Sequence, residues 1–134
     1  MKKIRIELWI AVIIACFAFS FSPFLQDPWE VPAKYKKMEN PTKADKENLS
    51  IAKTIYDKHC KSCHGKVGLG DGPKAKELDT PSGDFSKASF QSQTDGELYY
   101  KTTFGRDDMP AYDKKIASDE DRWILVHYMR TFKK

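Results

Sequence analysis

Cys60-Lys61-Ser62-Cys63-His64 is the stretch whose reading decides this fold. Upstream of it, Ile51, Ala52, Ile55, Tyr56 and His59/Cys60 recur at helical spacing, so the motif sits at the end of a helix. Downstream lie about thirty residues rich in Gly, Pro, Ser and Asp (65–93), too long an irregular run for a compact domain unless something else organises it. A second helix opens at Thr94-Asp95-Gly96-Glu97, which has the form of a capping box, and continues through Leu98, Tyr99 and Thr102 to Gly105, placed as a helix-ending glycine. A third opens at Ser118 with Asp119, Glu120 and Asp121. It carries an apolar stripe of Ile124, Leu125, Tyr128, Met129 and Phe132. No segment alternates with period two, so the expected class is all-α, with three main helices and long loops over residues 48–134. Three helices and that loop bury too small a core by themselves. The domain needs a centre that its own side chains do not supply.

The C-x-x-C-H string supplies it. With three Cys and three His in 134 residues, chance produces this pattern roughly one or two times in a thousand, and it is the attachment signature of c-type haem. Thiols three positions apart at a helix end, Cys60 and Cys63, can both add to the vinyl groups of one haem. The adjacent His64 then projects its imidazole at the iron as proximal axial ligand. The alternatives fit less well. A thioredoxin-type C-x-x-C wants a βαβ context, a structural zinc site wants four ligands, and a Cys60–Cys63 disulfide leaves the histidine unexplained.

Haem iron takes a sixth ligand, and Met109, Met129, Met38, His59 and His127 are the candidates. Met109 lies in the irregular polar segment Arg106-Asp107-Asp108-Met109-Pro110-Ala111-Tyr112, where a thioether has no helix face to fill and Pro110 holds the chain extended. Met129 belongs to the apolar stripe, Met38 to a linker, and the two histidines to helix surfaces. Met109 is therefore the expected ligand, and its soft sulfur favours the ferrous state and raises the reduction potential relative to a second histidine.

The N-terminus reads as an address. Lys2, Lys3 and Arg5 precede Leu8–Phe19, twelve residues without a charge or hydroxyl, and the uncharged run extends to Leu25. That suits a secretory signal over residues 1–25, an uncleaved anchor through residues 8–25, or a lipobox ending at Cys16. In each case the domain is expected on the periplasmic side, soluble or tethered to the cytoplasmic membrane. Residues 26–47, broken by Pro28, Pro32 and Pro41, read as a charged linker reaching about 70 Å when extended, with Trp29, Val31 and Tyr35 packing on the outside of the following domain.

Taken in order, Cys60 to Gly65, Gly70-Asp71-Gly72-Pro73, Gly96-Glu97-Leu98-Tyr99, Gly105 to Tyr112 and Asp121-Arg122-Trp123 resemble a class I monohaem cytochrome c. They are similar to the bacterial periplasmic and membrane-tethered domains of that family. The resemblance spans about residues 48–132 and implies an all-α fold wrapped around one covalent haem, with the first and last helices crossing. It also implies thioethers at Cys60 and Cys63, axial ligation by His64 and Met109, and a Pro73 carbonyl accepting a hydrogen bond from the other ring nitrogen of His64.

Composition excludes other classes. Lys and Arg total 23 against 19 Asp and Glu, too weak an excess for nucleic acid, and no phosphate-binding glycine loop is present. Without a nucleophile–base pair, and with both axial positions filled by protein, the expectation is a one-electron carrier with no small-molecule substrate and no catalysis. Expected partners are redox proteins: a quinol-oxidising complex as donor, and a terminal oxidase or reductase as acceptor. Lys58, Lys61, Lys66, Lys74 and Lys76 are candidates for steering an acidic one. Arg106 reads as a surface residue or a contact to a haem propionate. Tyr99, Tyr100, Phe104, Tyr112 and Trp123 read as core or pocket wall. A haem subunit of a larger respiratory enzyme, or a haem-based sensor if Met109 does not bind iron, are the alternatives.

Overall fold

The structure, a computed structural model, describes residues 28–134. The expected signal or anchor over residues 1–25, and Cys16 with it, lie outside the described residues. A compact unit spans Val31–Lys134. Its helices are α1 (Ala33–Lys36), α2 (Lys46–His59), α3 (Lys61–His64), α4 (Ala88–Gln91), α5 (Asp95–Phe104) and α6 (Asp119–Arg130), with a 3₁₀ turn at Ala75–Glu77. Among the described residues the only extended pairing is an isolated bridge between Arg106 and Met109. None of the helices described is long and apolar enough to cross a membrane.

Each main helix begins where a side chain satisfies an orphan backbone amide. The Asp45 carboxylate accepts from the Asn48 amide at 2.9 Å and starts α2. In α5 the capping box is complete. The Thr94 amide donates to Glu97 Oε2 at 2.7 Å, and the Glu97 amide donates to Thr94 Oγ1 at 3.2 Å. In α6 Ser118 Oγ accepts from the Asp121 amide at 3.1 Å, with three acids in the first turn facing the positive end of the dipole.

Helix α2 lies against α6, and α6 against α5. Ala52 and Tyr56 of α2 are wholly buried, as are Leu125 and Val126 of α6. Trp123 of α6 stacks on Tyr99 of α5, centroids 4.0 Å apart and 11° from parallel. Offset stacks of this kind contribute about 1 kcal/mol beyond their buried area.

The stretch expected as a linker starts folding earlier than its sequence suggests. From Val31 onward it belongs to the compact unit, so the domain boundary moves from Asn48 to Val31. Val31 is buried, and Tyr35 lies against Tyr99, Tyr100 and Phe104 of α5. Asn40 Nδ2 donates to the Trp123 carbonyl at 3.0 Å, and the Thr42 carbonyl meets His127 Nε2 at 3.1 Å. The close approach is made at Gly96, where a Cβ would stand 1.9 Å from the Tyr35 carbonyl oxygen. Helix propensity alone would have Gly96→Ala stabilise α5 by about 1 kcal/mol. We expect the opposite sign, a lowered melting temperature of the haem-loaded protein, because the methyl group displaces the Tyr35 backbone.

Candidate functional site

Cys60 ends α2 and begins α3, so the attachment motif is one further turn appended to the first long helix. Such a junction exposes the last carbonyls of one helix and of the next, and those from His59 to Gly65 are all satisfied here. The Cys60 carbonyl accepts from His64 N at 2.9 Å and the Lys61 carbonyl from Gly65 N at 2.9 Å. The loop that follows then folds back over the turn. Gly70 N donates to the His64 carbonyl (2.9 Å), Gly72 N to Cys63 (3.1 Å) and Lys74 N to Ser62 (2.9 Å). Two phenols take the outer positions. Tyr112 Oη donates to the His59 carbonyl at 2.8 Å, and Tyr56 Oη to the Gly65 carbonyl at 2.7 Å. Every carbonyl from 59 to 65 therefore has a donor, and the irregular stretch after the motif is organised by the motif's own backbone.

The side chains on this turn have matching chemistry. Cys60 and Cys63 are free thiols, each half-buried. Desolvation, and then the neighbouring Cys63, push the Cys60 thiol up to about 12. It is therefore protonated at neutral pH, the reverse of a redox-active C-x-x-C pair, which needs a stabilised thiolate. Burial pushes the His64 imidazole down to about 4, against a smaller upward pull from the Ser82 backbone. The ring is neutral at physiological pH, the state in which a nitrogen lone pair is available to a metal. Its face lies on Phe85, centroids 4.5 Å apart. Phe85 is buried, its amide donates to the Gly68 carbonyl at 2.7 Å, and it stacks on Phe90. His64 Nδ1 is buried and has no hydrogen-bond partner among the described residues. The Pro73 carbonyl implied as its acceptor does not serve in this structure.

Met109 is half-buried in a tight loop between α5 and α6. Arg106 and Met109 exchange both backbone hydrogen bonds at 2.9 Å. The turn between them requires Gly105 at φ 63°, where a Cβ would stand 2.3 Å from the Met109 carbonyl oxygen, and Asp107 at φ 52°. Two ties hold this loop to its surroundings. Asp108 Oδ2 accepts from the Thr80 amide at 3.0 Å, and the chain after Pro110 returns to α5 through Tyr112 N to the Thr103 carbonyl at 3.1 Å. Tyr112 then reaches the attachment turn itself. Its phenol is pushed up to about 12 by desolvation first and then by Cys60 and Cys63. The structure thus brings Cys60, Cys63 and His64 onto one turn and fastens the Met109 loop to it through Tyr112.

The competing ligands are engaged elsewhere. Met129 is buried in the core, Met38 is 39% exposed, and the His127 ring is taken by Thr42. The His59 ring packs edge-on against Tyr112. Arg106 pairs with Asp107 at 3.1 Å. Tyr99, Tyr112 and Trp123 are core, but Phe104 is not: at the last position of α5 it is 45% exposed, against the expectation of core or pocket wall. The five lysines around the motif are all exposed, and Lys61 lies 3.9 Å from Asp57. Phe85, Tyr56 and Asp108 are the contributors that sequence reasoning missed. Phe85 sits in a segment without period, Tyr56 stands out only as part of a helical period, and Asp108 only as one residue of the polar methionine segment.

Two neighbouring thiols, a neutral, half-buried imidazole and a thioether in a loop fastened to the same turn suit a covalently attached haem c, and the all-helical frame around them is that of a class I monohaem c-type cytochrome. The sequence model of the family described as cytochrome C oxidase, cbb3-type, subunit III matches residues 47–129, and the chain belongs to that family. The matched region is a c-type cytochrome domain, whose cofactor is haem c with iron and whose chemistry is electron transfer. Among solved structures, the Kuenenia stuttgartiensis reducing HAO-like protein complex Kustc0457/Kustc0458 is similar at 26% identity and TM-score 0.65, over 82% of this chain and 53% of that one. The chain spans about half the length of that relative. The KustC0563 c-type cytochrome is similar at 27% identity and TM-score 0.54, over 62% of this chain and 98% of that one. No curated protein matches.

Proposed function

We propose that Cys60 and Cys63 carry the two thioethers of a single haem c, that His64 and Met109 are its axial ligands, and that the chain passes one electron at a time between membrane-associated respiratory complexes without catalysing a reaction of its own. The observation that carries this reading is the attachment turn: two thiols and a neutral imidazole at positions 60, 63 and 64 of a fully hydrogen-bonded backbone, with the methionine loop tied to it by Tyr112. The haem supplies a reversible one-electron couple. The chain's residues hold that couple in place, exclude water with Tyr56, Phe85 and the α2–α6 core, and occupy both axial positions, so no site is left for a substrate.

The exposed lysines around the motif favour an acidic partner surface. A quinol-oxidising complex as donor and a terminal oxidase or reductase as acceptor fit that requirement. The cationic, apolar N-terminal sequence supports export, with the domain on the periplasmic side and residues 8–25 removed as a signal or kept as a tether. A second reading, a haem subunit held within a larger enzyme, draws on the size of the related chain from the HAO-like complex, of which this chain matches 53%.

The test of the closed site is carbon monoxide. Reduced protein at neutral pH is expected to show no rapid spectral change on its addition. A prompt change would mean an open iron and would favour a gas-binding or catalytic role. The intact mass of the mature protein reports haem number, cleavage and lipidation together. Release of the protein in the absence of detergent separates a soluble carrier from a tethered or complex-bound one.

A further inference from the structure

The hydrogen bond from Tyr112 to the His59 carbonyl is unlike the others around the motif. Six of the seven carbonyls from 59 to 65 are satisfied by residues of α2, of the motif turn itself, or of the loop that follows it. The His59 carbonyl alone takes its donor from the far side of the fold, 53 positions away. The two sides pack closely at Tyr112, and a second tie runs from Asp108 to the Thr80 amide. Tyr112 is 9% exposed, its ring lies edge-on to His59 with centroids 5.9 Å apart, and its amide is fixed to the Thr103 carbonyl at the end of α5. Between that anchor and Met109 stand only Pro110 and Ala111. With φ of Pro110 fixed by its ring and Met109 fixed by the paired backbone bonds to Arg106, the loop has few rotations left.

We propose that Tyr112 is a positioning residue for the sixth iron ligand: by capping the helix that carries the attachment motif, it fixes the distance between the Met109 loop and the attachment turn and so sets how firmly the methionine stays on the iron. This rests on the assignment of Met109 as ligand. Tyr56 is the natural comparison. Its phenol makes an equally short bond to the Gly65 carbonyl, but it starts from α2 itself and joins nothing on the methionine side. Both hydroxyls satisfy a carbonyl near the motif, but only Tyr112 links the two ligand-bearing segments.

The experiment measures binding of added imidazole to the oxidised, haem-loaded protein, since imidazole must displace the methionine to bind. Its companion readout is the methionine-to-ferric-iron charge-transfer absorption at long wavelength. Tyr112→Phe, which keeps the ring and removes only the hydroxyl, is expected to bind imidazole on the order of three- to ten-fold more tightly and to weaken the charge-transfer band, as befits loss of one neutral hydrogen bond. Tyr99→Phe, which removes a phenol bonded to Asp119 away from the attachment turn, is expected to lower the melting temperature and leave imidazole affinity within about two-fold of the unmodified protein. In a Met109→Ala background, Tyr112→Phe is expected to change nothing, because no ligand remains to be positioned. Equal imidazole affinities for the unmodified protein and Tyr112→Phe would overturn the proposal, as would an effect that persists without Met109. The ligand assignment itself fails differently: the unmodified protein would show no charge-transfer band, whatever stands at position 112.

Discussion

Cells equipped to mature c-type cytochromes are expected to yield, from the Cys60→Ala/Cys63→Ala variant, protein whose haem is extracted by acidified organic solvent and lost on denaturing electrophoresis, whereas the unmodified chain keeps its haem through both. The effect is all-or-none because thioether bonds do not dissociate and axial coordination does. His64 still presents a neutral imidazole after the substitutions, so some haem binds non-covalently. Without its covalent links the haem is held only by coordination and packing, and domain stability falls with its occupancy. The compact unit is small, and much of its interior, Tyr56, Phe85 and Tyr112 among it, borders the motif. We therefore expect a chain that unfolds well below the melting temperature of the unmodified protein. Haem still retained after acid extraction would show that attachment is made elsewhere.

Replacement of Met109 by alanine has the second large effect. Loss of the thioether ligand is expected to lower the reduction potential by a sizeable part of the roughly 0.8 V that axial ligation spans among haem proteins, because soft sulfur stabilises ferrous over ferric iron. The same variant opens a coordination position, so reduced protein binds carbon monoxide promptly at neutral pH. The loop itself survives. Its shape comes from Gly105, Asp107 and the backbone pairing of residues 106 and 109, none of which needs the methionine side chain. A potential and spectrum indistinguishable from the unmodified protein would assign the sixth ligand to another residue.

The parts of the fold legible in the sequence are those written in side chains. Thr94 with Glu97, and Ser118 with the acids after it, announce α5 and α6, and the structure shows those caps made. The motif and the methionine loop were legible for the same reason: sulfur and imidazole at fixed spacing have few other uses. Residues 65–93 were not legible, because what orders them is backbone. Amides of Gly70, Gly72 and Lys74 donate to carbonyls of the attachment turn, and a backbone hydrogen bond leaves no trace in residue identity beyond the glycines that permit the approach. The true start of the domain was hidden in a similar way. Val31 and Tyr35 are isolated apolar residues among prolines and charges, and what receives Tyr35 is the absence of a side chain at Gly96. Phe104 misled in the other direction. Its aromatic identity suggests burial, but its place at the last residue of α5 carries it past the end of the core.

The saturated run of carbonyls from 59 to 65 bears on speed as well as on architecture. An imidazole mounted on a peptide segment with no spare acceptor has little freedom to tilt or retreat when the charge at the metal changes by one. If His64 holds the iron as proposed, nuclear rearrangement accompanying the arrival or departure of an electron is expected to be small. A low reorganisation energy of this kind would let a brief, loosely held encounter with another redox protein suffice for the transfer.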